Sequence, residues 1–186
     1  MKKMIRTITI LLVAALTAAI LAGPRPAMAA DAAAIDRDAR AALSTLYDST
    51  PLARMLGERA RAILVFPSIV KAGFIVGAQA GDGALFVNGN TVAYYNVVAA
   101  SYGLQAGIQK FGYALFLMTD SARAYIDKSG GWEVGVGPSI VVVDAGVAKS
   151  LTTTTAKDDV YAFIFSQKGL MAGLGLQGSK ITRINP

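Results

Sequence analysis

The stretch VFPSIVKAGFIVGAQA, Val65–Ala80, is apolar almost throughout and carries a single lysine, Lys71, near its middle. A run this apolar is typical of a strand inside a sheet. Pro67 predicts the start of that strand, because proline lacks the N–H that a sheet ladder needs. From Lys71 onward alternate residues share a face, since strand side chains have a period of two. One predicted face holds Ala72, Phe74, Val76 and Ala78, and the other holds Lys71, Gly73, Ile75 and Gly77.

Residues 1–29 have the parts of a cleaved export signal. These parts are a basic start (Lys2, Lys3, Arg6), an apolar run (Ile8–Ala22) and a small-x-small cleavage pattern (Ala27-Met28-Ala29). The apolar run is shorter than the roughly 20 residues of a membrane-spanning helix, so a retained anchor is the weaker alternative. We therefore expect residues 30–186 to form a single exported domain that is periplasmic, associated with the cell envelope, or secreted.

The formal charge of +6 is concentrated in this leading segment. Four of the 18 basic residues lie within residues 1–29, which leaves 14 basic against 12 acidic residues in the rest of the chain. No basic run remains there, so the sequence predicts no nucleic-acid partner.

The chain contains neither cysteine nor histidine. Stability must therefore come from packing without disulfides, and Ser-His-Asp or Cys-His catalysis is impossible. No phosphate-binding glycine loop or GxSxG motif occurs. The sequence predicts a protein that is not an enzyme and that needs no cofactor.

Two helices are predicted to lead the exported domain. Asp31–Tyr47 has an apolar face at three- and four-residue spacing, formed by Ile35, Ala39, Ala42, Leu43 and Leu46. Thr50 and Pro51 are typical of the cap and first position of a second helix, predicted to run to about Ala62. That helix carries Arg54, Arg59 and Arg61 against Glu58 alone. These arginines are expected to be either solvated or in contact with anionic headgroups.

The remainder alternates strand patterns with glycine turns. Gly81–Gly83 predicts a turn, Asn88-Gly89 a hairpin, Lys110–Gly112 a turn or bulge, and Thr119 or Asp120 the cap of a short helix. Further strands are predicted at Gly131–Val143, Ala148–Thr155, Val160–Ser166 and Gly169–Ile181. Paired glycines recur at Gly73/Gly77, Gly103/Gly107, Gly135/Gly137 and Gly173/Gly175. The predicted fold is α+β, with N-terminal amphipathic helices packed on a strongly curved, mainly antiparallel, glycine-rich sheet that is open or barrel-like, and one short inserted helix.

Four separated segments resemble the SYLF domain family. They are KAGFIVGA from Lys71, YGLQAGIQ from Tyr102, GWEVGVGPSI from Gly131 and FSQKGLMAGLGLQGSKI from Phe165. The resemblance spans roughly Ala33–Asn185, and the arrangement of an export signal followed by one domain is similar to the bacterial, stand-alone branch of the family.

The resemblance implies phospholipid binding through basic residues and an amphipathic helix. The residues expected to contact anionic headgroups are Arg54, Arg59, Arg61, Lys71, Lys110 and Lys168. The expected function is that of a non-enzymatic phospholipid-binding protein of the bacterial cell envelope. The alternative is an envelope structural or assembly protein that acts through self-association or an envelope protein partner.

Overall fold

The computed structural model describes residues 31–73, 76–102, 107–128, 131–134, 136–143, 151–152, 155–169 and 178–186. Three helices occur in these ranges: α1 (Ala32–Ser49), α2 (Pro51–Gly57) and α3 (Asp120–Ile126). None of the three combines the length and the apolar character that crossing a bilayer requires. The predicted export signal, residues 1–29, lies outside the described residues.

Eight strands form one sheet that curls into a half-barrel. They are β1 (Ala62–Gly73), β2 (Val76–Val87), β3 (Asn90–Tyr102), β4 (Gly107–Leu117), β5 (Trp132–Glu133), β6 (Ile140–Val143), β7 (Val160–Gly169) and β8 (Lys180–Ile184). Their order across the sheet is β5-β8-β3-β2-β1-β4-β7-β6. Every described pairing is antiparallel except that of β6 with β7, so the predicted α+β class and mainly antiparallel sheet are confirmed.

Helix α2 begins at the predicted Pro51, and α1 begins one residue after the predicted Asp31. The Asp31 carboxylate accepts a hydrogen bond from the Ala33 N–H and caps α1, while Pro51 occupies the first turn of α2. Helix α2 ends at Gly57 rather than near Ala62, because Ala62 is already the first residue of β1. The Thr50 hydroxyl makes no capping hydrogen bond to α2.

The sheet has two faces, each with its own hydrophobic cluster. The α1 face is defined by the cluster in which Ile35, Ala39 and Leu46 of α1 join sheet residues such as Phe86 and Phe116. The α3 face is defined by the cluster in which Ala122 and Ile126 of α3 join Trp132 and the opposite side of the strands. The α1-face cluster covers only one half of the long central strands, and on that face the other half extends beyond α1.

A bulge in β1 lies at Pro67 and Ser68. Register shifts separate Val65 from Val70 against β2, and Phe66 from Ile69 against β4. The prediction that Pro67 starts the strand is therefore wrong, because β1 begins five residues earlier and accommodates the proline in an unpaired bulge. The extra residue reverses the alternation, since Phe66 and Ile69 both belong to the α3-face cluster.

The predicted turn at Gly81–Gly83 is also wrong, because β2 continues through it. A Cβ on Gly83 would lie 2.5 Å from the Val65 carbonyl oxygen, and one on Gly81 would lie 2.7 Å from the Ser68 carbonyl oxygen. The two glycines thus allow β2 to pass close to the bulged backbone of β1. This close approach explains their presence inside a strand.

The chain reverses direction between Gly73 and Gly77, which are partners across β1 and β2. The prediction that they share a face of one continuous strand is therefore wrong. The Asn88-Gly89 hairpin is confirmed, and both residues have the positive φ, 48° and 77°, that its tight turn requires.

The predictions for the C-terminal half are confirmed in part. Thr119 accepts a hydrogen bond from the Ala122 N–H and caps α3 as predicted, and β7 extends the predicted Val160–Ser166 strand to Gly169. Gly131–Val143 is not one strand, because it supplies β5 and β6 at opposite edges of the sheet. Most of the predicted strands Ala148–Thr155 and Gly169–Ile181, and the glycines Gly103, Gly135, Gly173 and Gly175, lie outside the described residues.

Asp159 joins three elements at the edge of the sheet. Its carboxylate accepts hydrogen bonds from the Ser139 backbone N–H (3.1 Å), the Ser139 hydroxyl (3.2 Å) and the Thr119 hydroxyl (3.0 Å). These donors, led by the Ser139 N–H, hold the pKa of the Asp159 carboxyl below its usual value. Because the pKa is lowered in the folded state, this contribution to stability is present above the unfolded pKa and is lost as pH falls through the folded pKa.

Asp159→Asn is expected to lower the free energy of unfolding by about 1 kcal/mol near neutral pH, since charge-assisted hydrogen bonds are lost. The deficit should shrink as the wild-type carboxyl is protonated below about pH 4. Urea unfolding at neutral and acidic pH measures both effects. Asp38→Asn, at an exposed carboxylate paired with Arg37, is the control and should change little. A deficit that persisted unchanged in acid would contradict this role.

Candidate functional site

The uncovered half of the α1 face carries a continuous apolar surface across four central strands. Two rows of paired residues form it, which we call the lysine-flanked face. The first row is Lys180–Val98–Ala80–Val70–Lys110–Lys168, and the second row is Ala100–Ala78–Ala72–Ile108. Residues paired directly across strands point to the same side, so each row lies on one face.

The larger apolar side chains of this face are exposed. Val70 and Val98 are each 44% exposed and Ile108 is 69% exposed, although all three lie in a central part of the sheet. The alanines between them are exposed as well and keep the surface flat. Contiguous exposed apolar surface with a polar rim is typical of an interaction site.

Positive charge on the face is concentrated at its β4–β7 end. Lys110 and Lys168 are exposed and lie directly opposite each other, an arrangement of like charges that costs stability. Neither forms a salt bridge with any residue in the described ranges. At the other end, Lys180 lies directly opposite the acidic Glu133 on β5. The Lys110–Lys168 end is therefore the part best suited to an anionic partner.

The predicted arginines lie at the opposite, helix-covered end of the molecule. Arg54 pairs with Asp48 (3.2 Å) and stacks over the Tyr47 ring, and Arg61 pairs with Asp120 (3.8 Å). Arg59 is exposed nearby. The structure therefore does not bring the arginines together with Lys110 and Lys168, and it engages two of them with carboxylates.

Lys71 is only 4% exposed, so it does not lie on the surface with Lys110 and Lys168. The Pro67 bulge explains this position, because it moves Lys71 to the α3 face and Val70 to the exposed face. Strict alternation of side chains along the sequence could not predict this change of face, because it does not include the bulge.

A groove of about 500 Å³ lies between α1, α2 and the β2–β3 hairpin, with Leu43, Tyr47 and Phe86 in its walls. Of the two arginines that line it, Arg40 is engaged by the Asp36 carboxylate (2.9 Å) and the Gly89 carbonyl (2.8 Å), and Arg54 is engaged by the Asp48 carboxylate (3.2 Å). The groove therefore has apolar walls, and the guanidinium groups of both arginines already have partners within the protein.

The fold and this face together define an α+β domain on a curled eight-stranded sheet, with an exposed apolar surface that is basic at one end. Residues 98–185 match the family described as Ysc84: Las17-binding protein actin regulator. The resemblance to the SYLF family drawn from the sequence is thus confirmed over residues 98–185. The match includes Val98, Ile108 and all three lysines of the face. No curated protein matches the chain.

Proposed function

We propose that the protein is a non-enzymatic phospholipid-binding protein of the bacterial cell envelope, exported by its N-terminal segment. The observation that carries the proposal is the lysine-flanked face, on which exposed valine and isoleucine adjoin two opposed lysines without a described carboxylate partner. A lipid surface offers both apolar contact and anionic groups to such a face.

In this proposal the membrane contact lies on the sheet and not on the amphipathic helices. In α1 the side chains of Ile35, Ala39 and Leu46 are buried in the α1-face cluster. An apolar helix face in that position has little surface left for a bilayer. Val70, Val98 and Ile108, by contrast, are exposed without any rearrangement.

The expected affinity is modest and partly sensitive to salt. Each lysine near an anionic surface contributes about 1 kcal/mol, and this attraction falls off within a Debye length. Lys110 and Lys168 together would therefore contribute about 2 kcal/mol. Apolar contacts of Ile108 and its neighbours add a contribution that salt does not screen.

Co-sedimentation with vesicles tests the proposal. The protein from Ala30 onward, without the apolar run Ile8–Ala22, is expected to bind phosphatidylglycerol vesicles, to bind phosphatidylcholine vesicles weakly, and to dissociate as salt is raised. Lys110→Ala with Lys168→Ala should reduce the partition coefficient about 30-fold, which corresponds to about 2 kcal/mol.

Arg54→Ala with Arg59→Ala is the matched control, because it removes two cations from the opposite end of the molecule. Its partition coefficient should change far less than that of the lysine variant. If only the arginine variant lost binding, the helix-covered end would be the membrane site. If the unaltered protein bound neither vesicle, the lipid function would be wrong. The family description names a protein ligand, so an envelope protein partner or self-association would then be the function to pursue.

A further inference from the structure

A row of buried polar side chains crosses β2, β1 and β4 on the α3 face. Lys71 is paired with Gln79 on one side and with Gln109 on the other, and the three side chains are 4%, 6% and 2% exposed. Ser179, which is fully buried, accepts a hydrogen bond from the Gln79 amide nitrogen (3.2 Å). We call these four residues the interior polar row.

The row is costly to bury and is incompletely satisfied. The Gln109 Oε1 atom is buried and has no hydrogen-bond partner among the residues that the structure describes. A buried acceptor without a donor destabilises a fold, and leucine or methionine at this position would avoid that cost. The unpartnered glutamine oxygen therefore points to a ligand that supplies the missing donor.

The described strand partners at the two ends of the row are small residues. Ala99 is paired with Gln79, and Gly169 is paired with Gln109. The adjacent row at the end of the sheet is Gly77–Gly73–Gly107, and a Cβ placed on Gly107 would meet no atom within 4 Å. Among the described residues, these strand partners therefore add little side-chain bulk beside Lys71.

We propose that the interior polar row binds a phosphate ester that carries a free hydroxyl group. The ammonium of Lys71 and the amide N–H groups of the glutamines suit the phosphate oxygens, since all of them are donors. The Gln109 carbonyl oxygen suits the hydroxyl, which donates to it. This site goes beyond the lysine-flanked face, because it lies on the other side of the sheet and needs no bilayer.

Two sources share this chemistry, a soluble polyol phosphate and the headgroup of a hydroxylated phospholipid. Isothermal titration calorimetry with glycerol 3-phosphate, inorganic phosphate and a short-chain, micelle-free phosphatidylglycerol distinguishes them. Binding of glycerol 3-phosphate identifies a site open to soluble esters. Binding of the short-chain lipid alone identifies a headgroup site, and either result supports the proposal. Binding of none of the three probes overturns it.

Gln109→Leu separates a binding role from a structural one. It is expected to weaken binding of the probe about tenfold or more, because the hydroxyl loses its acceptor. The thermal unfolding midpoint should stay the same or rise, because the unpartnered oxygen is removed. Unchanged affinity, or a fall in the midpoint with affinity retained, would overturn the proposal.

Lys71→Met is a second variant, expected to abolish binding of the phosphate group. Lys110→Ala with Lys168→Ala should leave probe binding unchanged while weakening attachment to vesicles. Failure of the interior site is thus distinguishable from failure of the membrane-binding function.

Discussion

Replacing Phe116 with alanine is expected to lower the free energy of unfolding by about 3–5 kcal/mol, the usual range for a buried phenylalanine. The ring is fully buried in β4 and packs edge-on against Phe163 of β7 (5.1 Å between centroids) and against Tyr47 of α1 (6.3 Å). Its removal leaves a cavity between helix and sheet that neither neighbour can fill without moving. Urea unfolding followed by circular dichroism measures the change.

Ile108→Ala provides the matched control, because it truncates an apolar side chain of the same strand that is 69% exposed. It should cost well under 1 kcal/mol, as surface substitutions usually do. A loss for Phe116→Ala as small as that of the control would show that α1 does not depend on this contact.

Replacing Gly83 with valine is expected to destabilise the protein by about 3 kcal/mol, at the upper end of the usual cost of overpacking. Its Cβ would lie 2.5 Å from the Val65 carbonyl oxygen and 2.6 Å from the Phe66 ring, so backbone as well as side chain would have to move. Ala78→Val adds bulk to the exposed side of the same strand and should be nearly neutral. Equal stability of the two variants would mean that β1 and β2 can separate at the bulge without cost.

Much of the architecture could be predicted because its signals are local. The cap at Asp31, the hairpin at Asn88-Gly89 and the cap at Thr119 each depend on a few neighbouring residues, and all three are confirmed. The α+β class was predicted from local patterns as well, namely the three- and four-residue spacing of helices and the two-residue alternation of strands.

The errors arise where a contact distant in sequence decides the conformation. Pro67 and Gly83 are typical of a strand start and a turn when each is considered alone. In the folded sheet Gly83 lies against Val65 and Phe66, the residues just before Pro67, and it makes room for the bulged backbone there. No signal within either segment indicates that pairing.

The candidate site was predictable only in part for the same reason. Lys110 and Lys168 were identified from the sequence, but their direct opposition depends on a second register shift, in β7, where Ser166 has a φ of 53°. Lys180, Val70 and Val98 join the face through pairings between strands far apart in the chain. The exposure of Ile108 could not be predicted from alternation, because the adjacent polar residue, Gln109, is the one that is buried, at 2% exposure.

The position of β5 and β6 in the sequence bears on how this sheet avoids aggregation through its edges. Both terminal strands come from the single segment between Trp132 and Val143, although they lie at opposite ends of the strand order. This one segment therefore supplies the edge strand at both ends of the sheet. Both edge strands are too short to pair readily with a strand of another molecule. Proteolytic cleavage in that segment would free both edges of the sheet at once, and the ten-residue strand β7 and the five-residue strand β8 would become available for intermolecular pairing.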